Sequence, residues 1–331
     1  MARLDNRDSR VALTVGDPNG VGPEIALKAL ATLTPEQRKR VTLFGPAEVL
    51  DKTAHFLHLQ DVLSSIALVS AGEISSEFYI HGNVNAAAGR SAIESATAAI
   101  QACRRGEFDG VVAGPHHETA IAQAGIAFSG YPSLVASVCE LPSESVFLML
   151  VGGGLRIVHV TLHESVEIAL GRMRTELVIA ATQAGVLACQ RLGVSAPRVA
   201  LFGINPHASE GTLFGPHDAQ CTVPAAHALN QTGLSVSGPM GADVLLANHA
   251  TQAHDLYVAM FHDQGHIPIK LLAPQGASAF SIGADVLLAS TGHGSAMDIA
   301  GKGQAKPDAL LRSLHMLLGL APQLTGQASP S

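Results

Sequence analysis

Residues 11–24 read VALTVGDPNGVGPE, and they set the fold. Val11–Val15 is an apolar run rich in β-branched residues, which predicts a strand buried on both faces. Gly16, Pro18, Gly20 and Gly22 then break the pattern. Pro23 suits the first turn of a helix, where its missing N–H is not needed. Strand, glycine-rich loop and helix form the repeating unit of an α/β protein with a parallel sheet. The loop is neither G-x-G-x-x-G nor a Walker A sequence. Its reading stays open between an anion-holding helix N-terminus and a tight glycine turn.

The alternation continues outward. Val41–Gly45, Asp109–Ala113, Arg198–Ile204 and Asp255–Phe261 read as strands. Gly89–Arg105, Thr175–Leu192, Pro216–Gln231 and Pro307–Leu318 read as helices, with Gly319 placed to end the last one. Val146–Val151 and Leu155–Thr161 flank three glycines and read as a hairpin. The pattern predicts a three-layer α/β/α fold with mostly parallel sheets and two domains with a cleft between them. The expected division is 1–128 plus 286–331 for the first domain and 129–285 for the second.

Composition narrows the function. Charged residues are 14% of the 331 and hydrophobic ones 47%, which excludes disorder over most of the chain. The net charge is −7, aromatics are 4% and Trp is absent, so neither a phosphate-backbone surface nor a base-stacking platform is expected. The most apolar stretch, Val146–Val160, is interrupted by glycines and Arg156, which argues against a membrane span. The four cysteines form no C-x-x-C pair and read as buried thiols. No apolar leader opens the chain, and a cytoplasmic setting is the expectation.

Histidine is in surplus, with 16 residues. Three expected strands end in one: His163, His207 and His262. Each alone reads as a satisfied structural residue. Together, at the carboxyl ends of strands where α/β ligands bind, they read as a three-imidazole metal site with an open position. His116 and His117 follow another strand. Adjacent histidines cannot both face one metal on a helix, so at least one reads as surface. Gly292–Gly303 is rich in small residues. Ser295 and Asp298 there can bond sugar hydroxyls or an adenine edge, or the segment is only a flexible loop.

Several of these segments occur together and in order: the first loop, the Gly114-Pro115 loop, Gly125–Gly130, Asn205-Pro206-His207, His262–Gly265 and the His293 loop. As a set they resemble the 4-hydroxythreonine-4-phosphate dehydrogenase family over nearly the whole chain. The His293 segment also resembles the adenosine-binding loop of isopropylmalate and isocitrate dehydrogenases. The resemblance implies an isopropylmalate/isocitrate dehydrogenase-like fold and an NAD-dependent dehydrogenase. It implies that His163, His207 and His262 hold one divalent metal, zinc first, with Fe, Co, Mn or Mg as alternatives. It places the site at a homodimer interface, with one histidine donated by the partner. The family's acids fall on Asp243 and Asp263 and its substrate lysine on Lys270, leaving the general base open among the three. The cofactor would lie on His293, Gly294, Ser295, Ala296, Asp298 and Ile299. Asp243 also has a plain reading as a helix cap.

The departures concern phosphate. His-Thr-Glu of the family is replaced by Tyr131, Pro132 and Ser133. A lysine is replaced by Glu118, and an asparagine and an arginine by Ala279 and Leu288. Losing Arg and Lys removes the groups suited to a phosphate dianion. A substrate without phosphate is the expectation, and the runs Gly114–Ile121, Phe128–Ser133, His159–Ser165 and Gly203–Gly211 resemble a branch of the family, which implies oxidation of the cis-dihydrodiol of terephthalate to protocatechuate and CO2. Tyr131, Ser133, His116 and His117 are the expected contacts for the second carboxylate. The alternative substrate is a phosphorylated hydroxy acid such as 4-hydroxythreonine 4-phosphate. A zinc protein without a redox role is a third reading, which the His293 loop opposes. No nucleic-acid or membrane partner is expected.

Overall fold

The computed structural model describes residues 9–251, 254–274 and 276–320. The N-terminus up to residue 8 and the polar tail from residue 321 lie outside them. Among the described residues the strands are β1 (Val11–Thr14), β2 (Val41–Gly45), β3 (Ala67–Ser70), β4 (Gly110–Ala113), β5 (Phe147–Gly152), β6 (Leu155–His159), β7 (Arg198–Phe202), β8 (Ser235–Met240), β9 (Leu256–Ala259), β10 (Ser278–Ile282) and β11 (Leu288–Thr291). The chain divides into two compact units. One runs from 144 to 283. The other holds residues 9–143 and 284–320. No described helix is long and apolar enough to cross a membrane.

In the 9–143/284–320 unit the strand order is β3-β2-β1-β4-β11. Every pair is parallel. Parallel strands need covering on both faces, and β1 and β4 are buried along their whole length. Helix Ala86–Arg104 packs on β1, β2 and β4, and helix Asp308–Leu317 packs on β4 and β11. Asn85 caps the first of these by accepting from the Ala88 N–H.

In the 144–283 unit the order is β10-β5-β6-β9-β7-β8. β5 runs antiparallel to both β10 and β6, and the β6-β9-β7-β8 pairs are parallel. Side chains alternate across β6. Ile157 shares a core with Phe202, Tyr257 and Ile269, the last on helix His262–Leu272. Val158 faces the other way, against Gly185 of helix Thr175–Arg191. Helix, sheet and helix are thus three layers, as the sequence pattern predicts.

The expected helix from Pro216 is a correction. A π-helical turn, Asp218–Thr222, precedes the α-helix Val223–Gln231. The Asp218 carboxylate is drawn away to another loop there. Strands β3, β8, β10 and β11 escape sequence reading. β3 is exposed at all four positions, and β8 contains Gly238 and Pro239, which ordinarily argue against a strand.

Candidate active site

The alternation that turns Ile157 toward helix His262–Leu272 turns His159 the same way. Gly265 makes room for it, since a Cβ there would collide with the His159 ring. That helix starts three residues after β9 ends, with Gln264 accepting from the N–H groups of Met260 and Phe261. Four-residue spacing then puts His262 and His266 on one helix face. Their rings stack with centroids 3.7 Å apart and 14° between planes.

The proton positions follow from the partners. Nδ1 of His159 lies 3.2 Å from the Leu148 carbonyl, which can only accept, so Nδ1 carries the proton. Nε2 of His159 is left to accept from Nδ1–H of His266 at 3.0 Å. Burial pushes His159 down to about 3 and His266 to about 4, and neighbouring imidazoles push the same way. Both are therefore neutral at pH 7. Nδ1 of His262 donates to Asp263 Oδ1 at 2.7 Å, which leaves Nε2 as the ring nitrogen with a lone pair. The ring of His163, in the loop after β6, stands 5.6 Å from that of His262.

This donor set suits a metal but is short of one member. Two imidazoles, His163 and His262, are side by side, and the second is oriented by a carboxylate. His207 is not with them. Among the described residues no group of three or more His, Cys, Asp or Glu side chains of the chain could hold a metal ion. Lys270 lies exposed one turn beyond His266 on the same helix. Asp243 lies exposed in the first turn of helix Ala242–Ala247.

His207 sits on an unusual loop. His207, Ala208, Ser209 and Glu210 have φ of 54°, 51°, 66° and 41°. The left-handed region costs a non-glycine residue about 1–2 kcal/mol. The buried Asp218 secures the loop. Its Oδ1 accepts from the Ile204 N–H at 2.8 Å and the Thr222 hydroxyl at 2.7 Å. Its Oδ2 accepts from the Asn205 N–H at 3.0 Å and the Ser209 hydroxyl at 2.6 Å. Burial raises this carboxyl's pKa, but these hydrogen bonds outweigh burial and hold it below the ordinary value. The His207 ring lies against Phe214, centroids 6.0 Å apart.

The 9–143/284–320 unit carries the remaining candidates. Its first loop is a buried hub. Asn19 donates to the carbonyls of Phe78 and Asn83 and accepts from the Ile80 N–H. Gly20 packs so closely on Ser295 that a Cβ would stand 2.7 Å from the Ser295 Cβ. The Val21 N–H donates to the Ser295 carbonyl. Glu24 accepts from the N–H groups of Gly303 and Ala305 and from Lys28, which in turn donates to the carbonyls of the same two residues. The 293–303 loop is thus tied down at both ends. His293, Gly294 and Asp298 are exposed along it, Ala296 and Ile299 are half-buried, and Ser295 is buried.

Tyr131 differs from expectation. It is buried, and its hydroxyl donates to the Gly114 carbonyl at 2.7 Å. Ser133 is engaged too, accepting from the Ser129 N–H and donating to the Gly130 carbonyl. Both hold the Gly130 turn and the end of β4. The His116 ring packs edge-on against Phe128 and Tyr131, while His117 Nδ1 is buried with no hydrogen-bond partner. Sequence reading singled out none of His159, His266, Asp17 and Asp218 as functional. Asp218 was hidden inside an expected helix, and Asp17 inside a turn that glycine explained. For His159 the signal was available: its parity with Ile157 on β6.

The chain and its fold have known relatives. The family model of the pyridoxal phosphate biosynthetic protein PdxA matches residues 31–317. A 1,2-dihydroxy-3,5-cyclohexadiene-1,4-dicarboxylate dehydrogenase of Comamonas sp is 57% identical over 313 residues, 95% of this chain and 98% of that one. A solved terephthalate 1,2-cis-dihydrodioldehydrogenase from Burkholderia xenovorans LB400 is 45% identical with a TM-score of 0.74, covering 94% of this chain and 98% of that one. A solved 4-hydroxythreonine-4-phosphate dehydrogenase from Burkholderia phymatum is 30% identical with a TM-score of 0.81, again covering 94% and 98%.

Proposed function

The chain belongs to the family of the pyridoxal phosphate biosynthetic protein PdxA, and from that premise we propose that it is a dehydrogenase acting on the cis-dihydrodiol of terephthalate with NAD. One observation carries the choice of substrate. Where the family resemblance calls for cations around a phosphate, this chain has Glu118, exposed in a first helical turn, and Leu288, fully buried in β11. A phosphate dianion is poorly served there. The Comamonas relative, at 57% identity, is named for a dihydrodiol dicarboxylate.

When bound, a divalent metal supplies a Lewis acid for the substrate hydroxyl oxygen, and NAD accepts the hydride. His163 and His262 would hold the metal from one chain, with Asp263 fixing the His262 tautomer. His207 would complete the set from a second copy, which makes the working form a homodimer. Val166, Leu213, Phe214 and Leu271 are exposed on the same unit and are the apolar surface a second chain would cover. Asp263 accepts from His262 through Oδ1 only, so proton removal stays with Asp263, Lys270 or Asp243. His116 and His117 contact the ring-distal carboxylate, while Tyr131 and Ser133 hold the backbone that places them. The 293–299 segment holds the adenosine of NAD. The substrate dianion and NAD+ give protocatechuate, CO2 and NADH, and loss of the ring carboxylate restores aromaticity. The buried thiols and the use of NAD fit a cytoplasmic setting.

The test is NADH formation with a panel of cis-dihydrodiols and with 4-hydroxythreonine 4-phosphate, with and without a chelator. Chelator-sensitive activity on the terephthalate diol is the expected result. Turnover of the phosphorylated acid and none of the diol would overturn it.

A further inference from the structure

Asp218 takes no part in the chemistry proposed above, yet its two oxygens are occupied by four donors. Three of the four come from the segment that carries His207, and they bracket it. Ile204 and Asn205 lie just before, and Ser209 lies just after. Between these anchors the backbone is left-handed at His207, Ala208 and Ser209, a path that L-residues do not hold unaided. The remaining donor, Thr222, ties the same carboxylate to the π-helical turn in which Asp218 itself lies. The His207 side chain is exposed, so the order of its backbone is set by this buried anchor.

We propose that Asp218 is a positioning residue for the metal site, holding the 204–209 backbone so that His207 is presented preformed to a second copy of the chain. The inference rests on the reading of His207 as a metal ligand. A carboxylate can accept from all four donors at once. An amide has one acceptor oxygen and would press its NH2 group against donors. Asp218→Asn is therefore nearly isosteric and yet unable to keep the loop.

The experiment is Zn2+ binding by calorimetry on the full-length apo protein, with thermal unfolding measured alongside. Wild type, His207→Ala, Asp218→Asn and the double variant are compared. Asp218→Asn should bind Zn2+ about 10–100-fold more weakly, the range for partners that orient a ligand. It should add no further loss in the His207→Ala background. A lowered Tm with wild-type Zn2+ affinity makes Asp218 merely structural and overturns the proposal. So does a loss that simply adds to that of His207→Ala. If His207→Ala binds Zn2+ like wild type, the ligand reading itself fails and takes the proposal with it. Should Asp218→Asn not fold, Ser209→Ala removes one donor and is read by the same comparison, with a smaller loss expected.

Discussion

At the scale of single residues, Asp17 shows what a turn can hide. Its side chain is inaccessible to solvent. Oδ1 accepts from the Asn19 N–H, and Oδ2 is buried with no hydrogen-bond partner. Burial raises its pKa from 3.8 to about 6, against the pull of the backbone N–H groups of Asn19 and Gly20. The folded state therefore binds this proton more tightly than the unfolded state. Below pH 3.8 the group is neutral in both states. As pH rises through about 6, the folded chain must bury the charge, and on the order of 2–3 kcal/mol of stability is lost. Asp17→Asn should unfold at a higher temperature than wild type near about pH 7, and the gap should close toward about pH 4. A gap constant across that range would remove Asp17 as its source. The sequence displayed the Asp-Pro-Asn-Gly turn plainly. The turn itself is held by partners remote in sequence: the Asp17 N–H donates to the Pro115 carbonyl, and its neighbours Asn19 and Val21 bond the 78–83 segment and Ser295. For the same reason Tyr131, a plausible ligand contact by position, spends its hydroxyl on Gly114.

At the scale of elements, periodicity explains how the histidines come together. Period-two alternation on β6 puts Ile157 and His159 on one face, and four-residue spacing on helix His262–Leu272 puts His262 and His266 on another. Gly265 is where the two meet. Gly265→Ala would raise helix propensity, but its methyl would collide with the His159 ring. We expect a net loss of roughly 1–3 kcal/mol from overpacking, read as a lower urea midpoint. An unchanged midpoint would mean that the helix can move away from β6 without cost. The elements that escaped reading lacked such patterns. β3 is a fully exposed edge strand with no buried face to mark, β8 is crossed by Gly238-Pro239, and the turn at Asp218 follows a side chain pulled elsewhere.

At the scale of the whole molecule, the chain alone gathers two of three expected ligands. If His207 serves a second copy, His163→Ala and His207→Ala chains, each inactive alone, should complement. Mixed after co-expression, they should regain about a quarter of the wild-type rate, because half of random dimers are mixed and each mixed dimer holds one intact site. No recovery would rule out a site shared between chains. The sequence by itself determined the α/β class, the strand ends that bear histidine, and an acidic residue at 118 with an apolar one at 288. These follow from local chemistry, because periodicity, turn residues and charge are properties of neighbours along the chain. Only the tertiary structure decided which histidines meet, which proton each carries, and that Asp218 anchors the His207 backbone. Those outcomes turn on strand order and on burial, which bring together side chains such as His159 and His266 across more than a hundred residues.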